Sequence, residues 1–281
     1  MINPLSGGKD KSDFEQLLQE KLDLNLFDYT IYKWLEADAL KLDLTSLELK
    51  YFDAVVAVGG DGTINQVIDA LKDETLAFGL IPQGSGNGLA RELSIPLHIP
   101  QAIERLNNWQ LRQIDLGVLN GQSFVNVSGI GFDAAIGFEF AKSATRGVWG
   151  YFTAILRQFF KYQESSFAIE YDGQGIKGKY FIIAIANGRQ WGNEFYVARE
   201  ASLDDGILDL TIIRKPSILQ IPGLAWALRN RKAHKLVDTH RAKHFSVLGN
   251  GEVETHLDGE PIIGHFPLEY KCLPSKVAFL V

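Results

Sequence analysis

A carboxylate stands among glycines in the segment Gly59–Thr63, which reads Gly-Gly-Asp-Gly-Thr. Glycine lets the backbone approach a ligand closely and adopt positive φ, so that N–H groups can face an anion such as phosphate. A carboxylate beside phosphate needs a cation between the two negative groups, and Mg²⁺ commonly fills that position. The pattern therefore indicates a nucleotide site with Mg²⁺, which Asp61 would contact directly or through water. A tight turn capped by Asp61 is the competing interpretation.

The elements on either side of this loop would position it. Val55–Val58 is a short apolar run, which is typical of a buried parallel strand. After the loop, apolar residues recur at 64, 67, 68 and 71, which is helical spacing. A strand, a glycine turn and a helix in this order direct the N–H groups of the helix start at an anion. The binding residues expected here are Gly59, Gly60, Asp61, Gly62, Thr63 and Asn65.

The same pattern returns one unit further along the chain. The apolar run Leu76–Ile81 ends in a glycine-rich turn, and a helix is predicted from Leu89. In a parallel sheet the carboxyl ends of the strands share one edge, so we expect both turns at that edge. The expected phosphate ligands are Gly84, Ser85, Gly86 and Asn87. Arg91 either contacts phosphate or is an ordinary solvated helix residue.

The composition is that of a globular protein of one large or two modest domains. The chain has 281 residues, 46% of them hydrophobic and 22% charged, with a net charge of −6. That charge gives no overall attraction to nucleic acid, so no nucleic-acid partner is expected. The single cysteine, Cys272, fits a reducing compartment, and neither a leader nor an apolar run of about 20 residues is visible. These features predict a cytoplasmic protein.

Further motifs occur in a defined order along the chain and give it a family resemblance. They are Asn3–Gly8, Gly59–Thr63, Pro82–Asn87, Asn126–Asp133, Asp204–Asp209 and Leu257–Pro261. In this order they resemble the diacylglycerol kinase catalytic-domain family, which includes bacterial lipid kinases and sphingosine kinases. One such motif would be weak evidence, whereas the ordered set covers nearly all of the chain.

The resemblance implies a fold of two domains, α/β and all-β, of the NAD kinase/diacylglycerol kinase type. A Rossmann-like α/β nucleotide domain is expected over residues 1–112, with 275–281 as a candidate completing segment. A β-sandwich domain is expected over 113–274, with ATP in the cleft between the two. The implied reaction is transfer of the ATP γ-phosphate to a lipid hydroxyl with Mg²⁺ as cofactor, and diacylglycerol or a sphingoid-like lipid as acceptor.

The resemblance also implies functions for individual residues. Glu260, in Asp-Gly-Glu, would act as the general base, and Asp61 would bind metal and nucleotide. The alternative function of Glu260 is that of a turn carboxylate. The opening motif would add nucleotide ligands, namely Asn3, Pro4, Ser6 and Gly7. Only Met1 and Ile2 precede this motif, so the first strand is either very short or begins before the given sequence.

Two metal positions follow from the same resemblance. Asp205 would join the backbone carbonyls of Ser202 and Ile207 around a structural Mg²⁺. Asp115 would help to organise the metal network, although a strand-end turn residue is an equal interpretation. Gly88 stands where diacylglycerol-type members carry Asp, which leaves open whether the acceptor is diacylglycerol or a sphingoid-like lipid.

The remaining secondary structure is predicted from periodicity and turns. A capping box at Ser12–Glu15 begins a helix, Phe27–Tyr32 alternates like a strand, and Ser123–Ser128 is a strand leading to a turn at Gly129–Asp133. Helical spacing over 147–162 indicates a core helix or the wall of an acyl-chain path. Short strands then dominate and predict a sandwich, namely 167–171, 180–186, 208–213, 244–248, 254–257, 268–271 and 277–281.

A local concentration of positive charge follows the helix predicted over Pro216–Asn230. Arg229, Arg231 and Lys232 belong to it, and they either attract anionic headgroups or form a solvated helix end. With the first interpretation, the protein associates peripherally with the inner membrane surface, where it meets its lipid acceptor. A homodimer also stays open.

Two other functions compete with the lipid kinase. An NAD kinase would share the Gly59–Thr63 loop and the architecture, but would not be expected to carry Asn3–Gly8 or Gly84–Asn87. A non-catalytic lipid-binding relative is the other alternative, to which Gly88 gives some support.

Overall fold

The computed structural model describes Met1 and residues 14–33, 48–142 and 158–281. These residues form two compact units, one of Met1–Asp115 with Ser275–Val281 and one of Leu116–Pro274. The first is an α/β unit and the second is a β-sandwich, so the predicted fold class is confirmed. The structure places the division after Asp115, whereas the sequence led us to expect it after residue 112.

The first unit alternates helices and strands. Its elements are α1 (Phe14–Lys21), a 3₁₀ turn (Leu49–Tyr51), β1 (Ala54–Gly59), α2 (Asp61–Leu71), β2 (Ala77–Pro82), α3 (Gly88–Glu92), α4 (Ile99–Leu106), the first part of β3 (Leu111–Leu119) and the end of β16 (Leu268–Leu280).

The sheet of this unit is parallel where the glycine turns leave it. β1 and β2 pair from Ala54↔Ala77 to Gly59↔Pro82, and Phe279 of β16 pairs in parallel with Phe78 of β2. Every residue of β2 is buried, as the continuous apolar run predicted. On the other side of β1, the carbonyl of Met1 accepts the N–H of Val58 at 2.9 Å.

Helix α2 confirms the helical spacing read from the sequence. Its apolar side chains Ile64, Val67, Ile68 and Leu71 are all buried. The α3 helix is short, since it begins at Gly88 and Leu93 is already its C-cap residue.

The second unit consists mainly of antiparallel strands. Its elements are the remainder of β3, β4 (Gln122–Phe124), β5 (Val127–Gly131), α5 (Phe132–Lys142), β6 (Ser165–Tyr171), β7 (Gln174–Tyr180), β8 (Ile182–Ala186), β9 (Gln190–Gly192), β10 (Phe195–Tyr196), β11 (Leu208–Ile213), a 3₁₀ turn (Ile218–Gln220), α6 (Ile221–Arg229), β12 (Val237–Ala242), β13 (His244–Leu248), β14 (Glu252–Leu257), β15 (Glu260–His265) and the first part of β16.

Two layers of strands enclose the core of the second unit. One layer has the order β12-β11-β8-β5-β14-β15, and the other contains β16, β13, β6 and β7 in that order. Buried side chains from both layers share one cluster, among them Ile185 and Leu210 from the first and Phe245 and Tyr270 from the second. Apolar residues that alternate along short strands supply such a core.

Some local predictions were wrong. Phe27–Tyr32 alternates between half-buried and exposed side chains but is not a strand. The segment Ser123–Ser128 is interrupted, because the N–H groups of Val125 and Asn126 bind the carboxylate of Asp258 instead of a neighbouring strand. Gly129–Gly131 is part of β5 rather than a turn. The predicted strands 268–271 and 277–281 are not separate, because Leu268–Leu280 form the single strand β16.

Other predictions are only partly tested by the described residues. Ser12 of the capping box and residues 147–157 of the helix predicted over 147–162 lie outside them. Within the described ranges, no helix has the length and apolar character needed to cross a bilayer.

Candidate active site

The two glycine turns of the first unit contact each other. A Cβ added at Gly84 would lie 2.5 Å from the Cα of Gly60, and one added at Gly60 would lie 3.0 Å from the Cα of Gly84. The N–H of Gln83 donates to the carbonyl of Gly59 at 2.7 Å, which continues the pairing of β1 and β2. The prediction that both turns lie at one edge of the sheet is therefore confirmed.

The N-terminus of α2 presents backbone donors at this edge. Gly60 is the N-cap, and the first bond of the helix runs from the N–H of Ile64 to the carbonyl of Gly60 at 3.1 Å. Within the described residues, the N–H groups of Asp61, Gly62 and Thr63 have no protein acceptor. Unpaired donors at a helix start, together with the helix dipole, bind anions such as phosphate.

The carboxylate of Asp61 connects the two turns. Its oxygens accept the N–H groups of Gly88 and Leu89, each at 2.9 Å. The sequence led us to expect phosphate at both helix starts, but a protein carboxylate already caps the second one. Each carboxylate oxygen accepts more than one bond, so Asp61 retains capacity for a cation. Its predicted contact with Mg²⁺ stays a prediction.

Asn87 closes the second glycine turn on itself. Its side chain accepts the N–H of Gly84 and donates to the carbonyl of Gly84, both at 2.9 Å. The residue is buried and left-handed at φ 48°, a conformation that Asn tolerates. Asn87 thus shapes the turn, whereas Ser85 at its tip is exposed and accessible to a ligand. Arg91 donates to the carbonyl of Gly86 at 3.3 Å, so it also supports the turn.

Two buried amide side chains near the turns lack partners for their oxygens. They are Asn65 in α2 and Gln83 directly after β2. Among the described residues, no group donates a hydrogen bond to Asn65 Oδ1 or to Gln83 Oε1. Buried polar atoms are normally hydrogen-bonded, so these two indicate a missing partner such as a ligand or water. The sequence analysis included Asn65 but missed Gln83. Its signal was a polar residue immediately after a fully buried strand.

Other predicted residues of this unit have different placements. Asp115 is almost fully buried and accepts the N–H of Ser275 at 2.7 Å, which is a structural contact where β16 returns to the unit. Its part in a metal network stays a prediction. Asn3, Pro4, Ser6 and Gly7 lie outside the described residues.

The Asp-Gly-Glu motif forms a tight hairpin in the second unit. Asp258 and Gly259 connect β14 to β15 with φ values of 49° and 90°, which a two-residue turn of this kind requires. The Asp258 carboxylate accepts the N–H groups of Val125, Asn126 and Val127 at 2.7 to 2.9 Å. Glu260 is the first residue of β15 and is exposed. Asp258 is therefore the turn carboxylate, and Glu260 is accessible for chemistry.

A buried histidine holds the same hairpin. The N–H of Gly259 donates to Nδ1 of His256 at 3.3 Å, and Nε2 of His256 lies 3.1 Å from a carboxylate oxygen of Asp133. A nitrogen that accepts a bond carries no proton, so we assign the proton to Nε2, which donates to Asp133. Gly129 makes room for the pair, because a Cβ there would collide with both side chains. The sequence analysis did not identify His256.

At the predicted structural metal position, the positive charge of Arg241 balances the negative charge of Asp205. The carboxylate of Asp205 is ion-paired with Arg241 and accepts the N–H of Ile207 at 3.3 Å, while the Ser202 hydroxyl donates to Asp204 at 2.6 Å. The Nε of Arg241 also lies 3.4 Å from Asp209. Burial raises the pKa of Asp209 to about 6, and the charge of Arg241 opposes this rise. The contact of Mg²⁺ with Asp205 and with the carbonyls of Ser202 and Ile207 stays a prediction.

The Mg²⁺ expected near Asp61 requires a different test. Within the described ranges no three His, Cys, Asp or Glu side chains come together to hold an ion. Mg²⁺ needs no such cluster, because it is usually held by one or two carboxylates and the phosphates of a nucleotide. Asp61 beside the donors of α2 fits that arrangement.

Comparisons with known proteins agree in both units. The sequence pattern of the diacylglycerol kinase catalytic domain matches residues 1–119, and that of the YegS C-terminal NAD kinase beta sandwich-like domain matches 126–281. A diacylglycerol kinase of Bacillus subtilis (strain 168) is 32% identical over 222 residues, which are 75% of this chain and 72% of the relative. A diacylglycerol kinase of Staphylococcus saprophyticus is 28% identical over 92% of this chain and 87% of its own length.

The fold has a counterpart among solved structures. A crystal structure of a diacylglycerol kinase from Bacillus anthracis str. Sterne aligns with a TM-score of 0.74. The alignment covers 99% of this chain and 94% of the other, at 21% sequence identity. At that identity the likeness concerns the fold.

Proposed function

Because this chain belongs to the diacylglycerol kinase catalytic-domain family, we propose that it transfers the γ-phosphate of ATP to the hydroxyl of a lipid. The observation that carries the proposal is the contact of Gly60 with Gly84, which joins both glycine turns beside the N–H groups at the start of α2. This arrangement suits the phosphates of a nucleotide. An NAD kinase-like activity is not favoured, because the curated relatives named above are diacylglycerol kinases.

Each residue then has a defined task. The N–H groups of Asp61, Gly62 and Thr63 bind phosphate oxygens, and exposed Ser85 adds a hydroxyl. Mg²⁺, when bound through Asp61 and the nucleotide, offsets the negative charge on the phosphates. Glu260 accepts the proton of the lipid hydroxyl as that oxygen attacks the γ-phosphorus, while ADP departs. Asp258 and His256 hold the hairpin that carries Glu260.

The acceptor is a diacylglycerol or a sphingoid-like lipid. Gly88 stands where diacylglycerol-type members carry Asp and so favours the sphingoid-like class, whereas the curated relatives support diacylglycerol. A panel of diacylglycerol, sphingoid bases and undecaprenol with labelled ATP and Mg²⁺ distinguishes them by label in the organic phase.

The base is tested by the substitution Glu260→Gln, which keeps the size of the side chain and removes its basicity. We expect turnover to fall by about 100-fold or more, since a general base contributes roughly 10²–10⁴. ATP binding, measured by calorimetry, should stay unchanged. Normal turnover in the variant, or no lipid phosphorylation by the unmodified protein, would contradict the proposal.

A further inference from the structure

Large apolar side chains are exposed along the segment Ile218–Arg229 of the second unit. Leu219 is 93% exposed, and Ile218 and Trp226 are each 60% exposed. The opposite side of α6 is anchored, because Leu224 and Ala227 are buried. A contiguous exposed apolar patch commonly marks an interaction site, whereas apolar side chains exposed singly need no such explanation.

These residues follow one face of the segment. Four exposed residues follow one another at intervals of three, four and three positions, and they are Leu219, Pro222, Trp226 and Arg229. Side chains at such intervals lie above one another on a helix. The face is therefore apolar for most of its length and becomes basic at its C-terminal end. We call it the α6 face.

Basic residues continue the α6 face beyond the helix. Arg231, Lys232 and Lys235 are exposed in the residues that follow, within a chain of net charge −6. Two arginines are held in place by β10 and its turn, because Arg229 pairs with Glu194 at 2.8 Å and Arg231 lies 4.1 Å from the ring centre of Tyr196. Glu194 offsets the charge of Arg229, so the net positive charge comes from the three residues after it.

An apolar face bordered by cations is complementary to an anionic bilayer. Acyl chains accommodate the apolar side chains, anionic headgroups attract Lys and Arg, and Trp favours the boundary between the two. We propose that Ile218–Lys235 docks on an anionic lipid bilayer, with Leu219 and Trp226 inserted and Arg231, Lys232 and Lys235 at the headgroups. The proposal rests on the proposed function, since a lipid kinase must reach an acceptor that resides in a membrane.

The experiment measures sedimentation of the full-length protein with vesicles. One set contains phosphatidylcholine alone, and the other contains phosphatidylcholine with phosphatidylglycerol. The apolar variant carries Leu219→Gln with Trp226→Gln, and the charge variant carries Lys232→Gln with Lys235→Gln. Matched controls are Leu26→Gln, at another exposed leucine, and Lys177→Gln with Lys179→Gln, at two exposed lysines of β7.

We expect the unmodified protein to bind the anionic vesicles in preference to the neutral ones. Each lysine should contribute about fivefold in affinity, as expected for one charge near a membrane surface. The apolar variant should lose tenfold or more, and both controls should bind normally. Equal binding by variants and controls overturns the proposal, as does a change from dimer to monomer in the apolar variant, which would make the α6 face a contact between copies.

Kinase assays separate this proposal from the proposed function. In detergent micelles the docking variants should phosphorylate lipid at the normal rate, and in anionic vesicles they should be slower. Equal rates in both systems overturn the docking proposal. If the unmodified protein binds vesicles but phosphorylates no lipid in either system, the α6 face stands and the kinase assignment fails.

Discussion

Single polar side chains determine the shape of the sheet edge at which the two glycine turns lie. Asp61 holds the start of α3 through two N–H groups, and Asn87 holds Gly84 through two bonds. A negative side chain at a helix start is favourable because the N–H groups there carry partial positive charge. A substitution of Asp61 would therefore disturb the second turn as well as any bound cation, so loss of activity alone cannot define its function.

A cleaner residue-level test is the substitution Gly84→Ala. The added methyl would meet the backbone of Gly60 at 2.5 Å, and backbone cannot move aside as a flexible side chain can. We expect the turns to separate and ATP affinity to fall by at least tenfold, while the second unit stays folded. Calorimetric titration with ATP measures the change.

The matched control is Gly175→Ala in β7. The nearest atom to its added Cβ is 4.0 Å away, so this variant should bind ATP normally. If Gly84→Ala binds ATP like the control, the contact between the turns does not define the nucleotide site.

At the level of elements, the hairpin β14–β15 is the structure on which Glu260 depends. Asp258 ties the turn to three consecutive N–H groups, the last of which belongs to the first residue of β5, and His256 ties it to Asp133 at the start of α5. Both anchors are side chains whose own positions are fixed by neighbouring strands. The backbone of Glu260 is therefore fixed in place, although its side chain is exposed.

Two substitutions separate the bonds of His256. His256→Asn keeps an acceptor near the position of Nδ1 and so retains the contact with Gly259, whereas His256→Gln keeps a donor near Nε2 and so retains Asp133. We expect turnover to fall about tenfold in His256→Gln, the equivalent of one lost hydrogen bond, and less in His256→Asn. The KM for ATP should stay constant in both.

Steady-state kinetics with varied ATP and lipid measure these effects. The matched control is His265→Asn, at an exposed histidine at the other end of the same hairpin. Unchanged turnover in both His256 variants, or a rise in the KM for ATP, would exclude a positioning function for this residue.

At the level of the whole molecule, the last residues of the chain complete its first unit. Ala278 and Phe279 pair with β2, and the N–H of Val281 donates to the carbonyl of Gln110 at 2.9 Å. Phe279 is fully buried, and Leu280 nearly so. The first unit therefore forms its complete core only after the second unit has been synthesised.

The substitution Phe279→Ala tests this dependence. Removing a buried aromatic ring costs roughly 3–5 kcal/mol, so we expect the first unit to melt at a lower temperature and ATP binding to weaken with it. Differential scanning calorimetry should show a shifted transition for the first unit and an unshifted one for the second.

Lys276→Ala is the control in the same segment. Its ammonium pairs with exposed Asp73 at 2.8 Å. Because a solvent-exposed ion pair contributes little to stability, its removal should leave the melting temperature unchanged. A shift in Lys276→Ala as large as that in Phe279→Ala would show that the segment, and not the buried ring, carries the stability.

Local patterns in the sequence were enough to predict the strand, glycine turn and helix around both glycine turns, the sandwich and the family. These features depend on periodicity and on residues within a few positions of each other, so they can be recognised from the sequence. The folded structure was needed to show that Asp61 caps α3, that Arg241 pairs with Asp205, and that His256 holds the turn before Glu260. A polar side chain takes the partner that folding brings beside it, and for Asp61, Arg241 and Asp133 that partner comes from a distant segment.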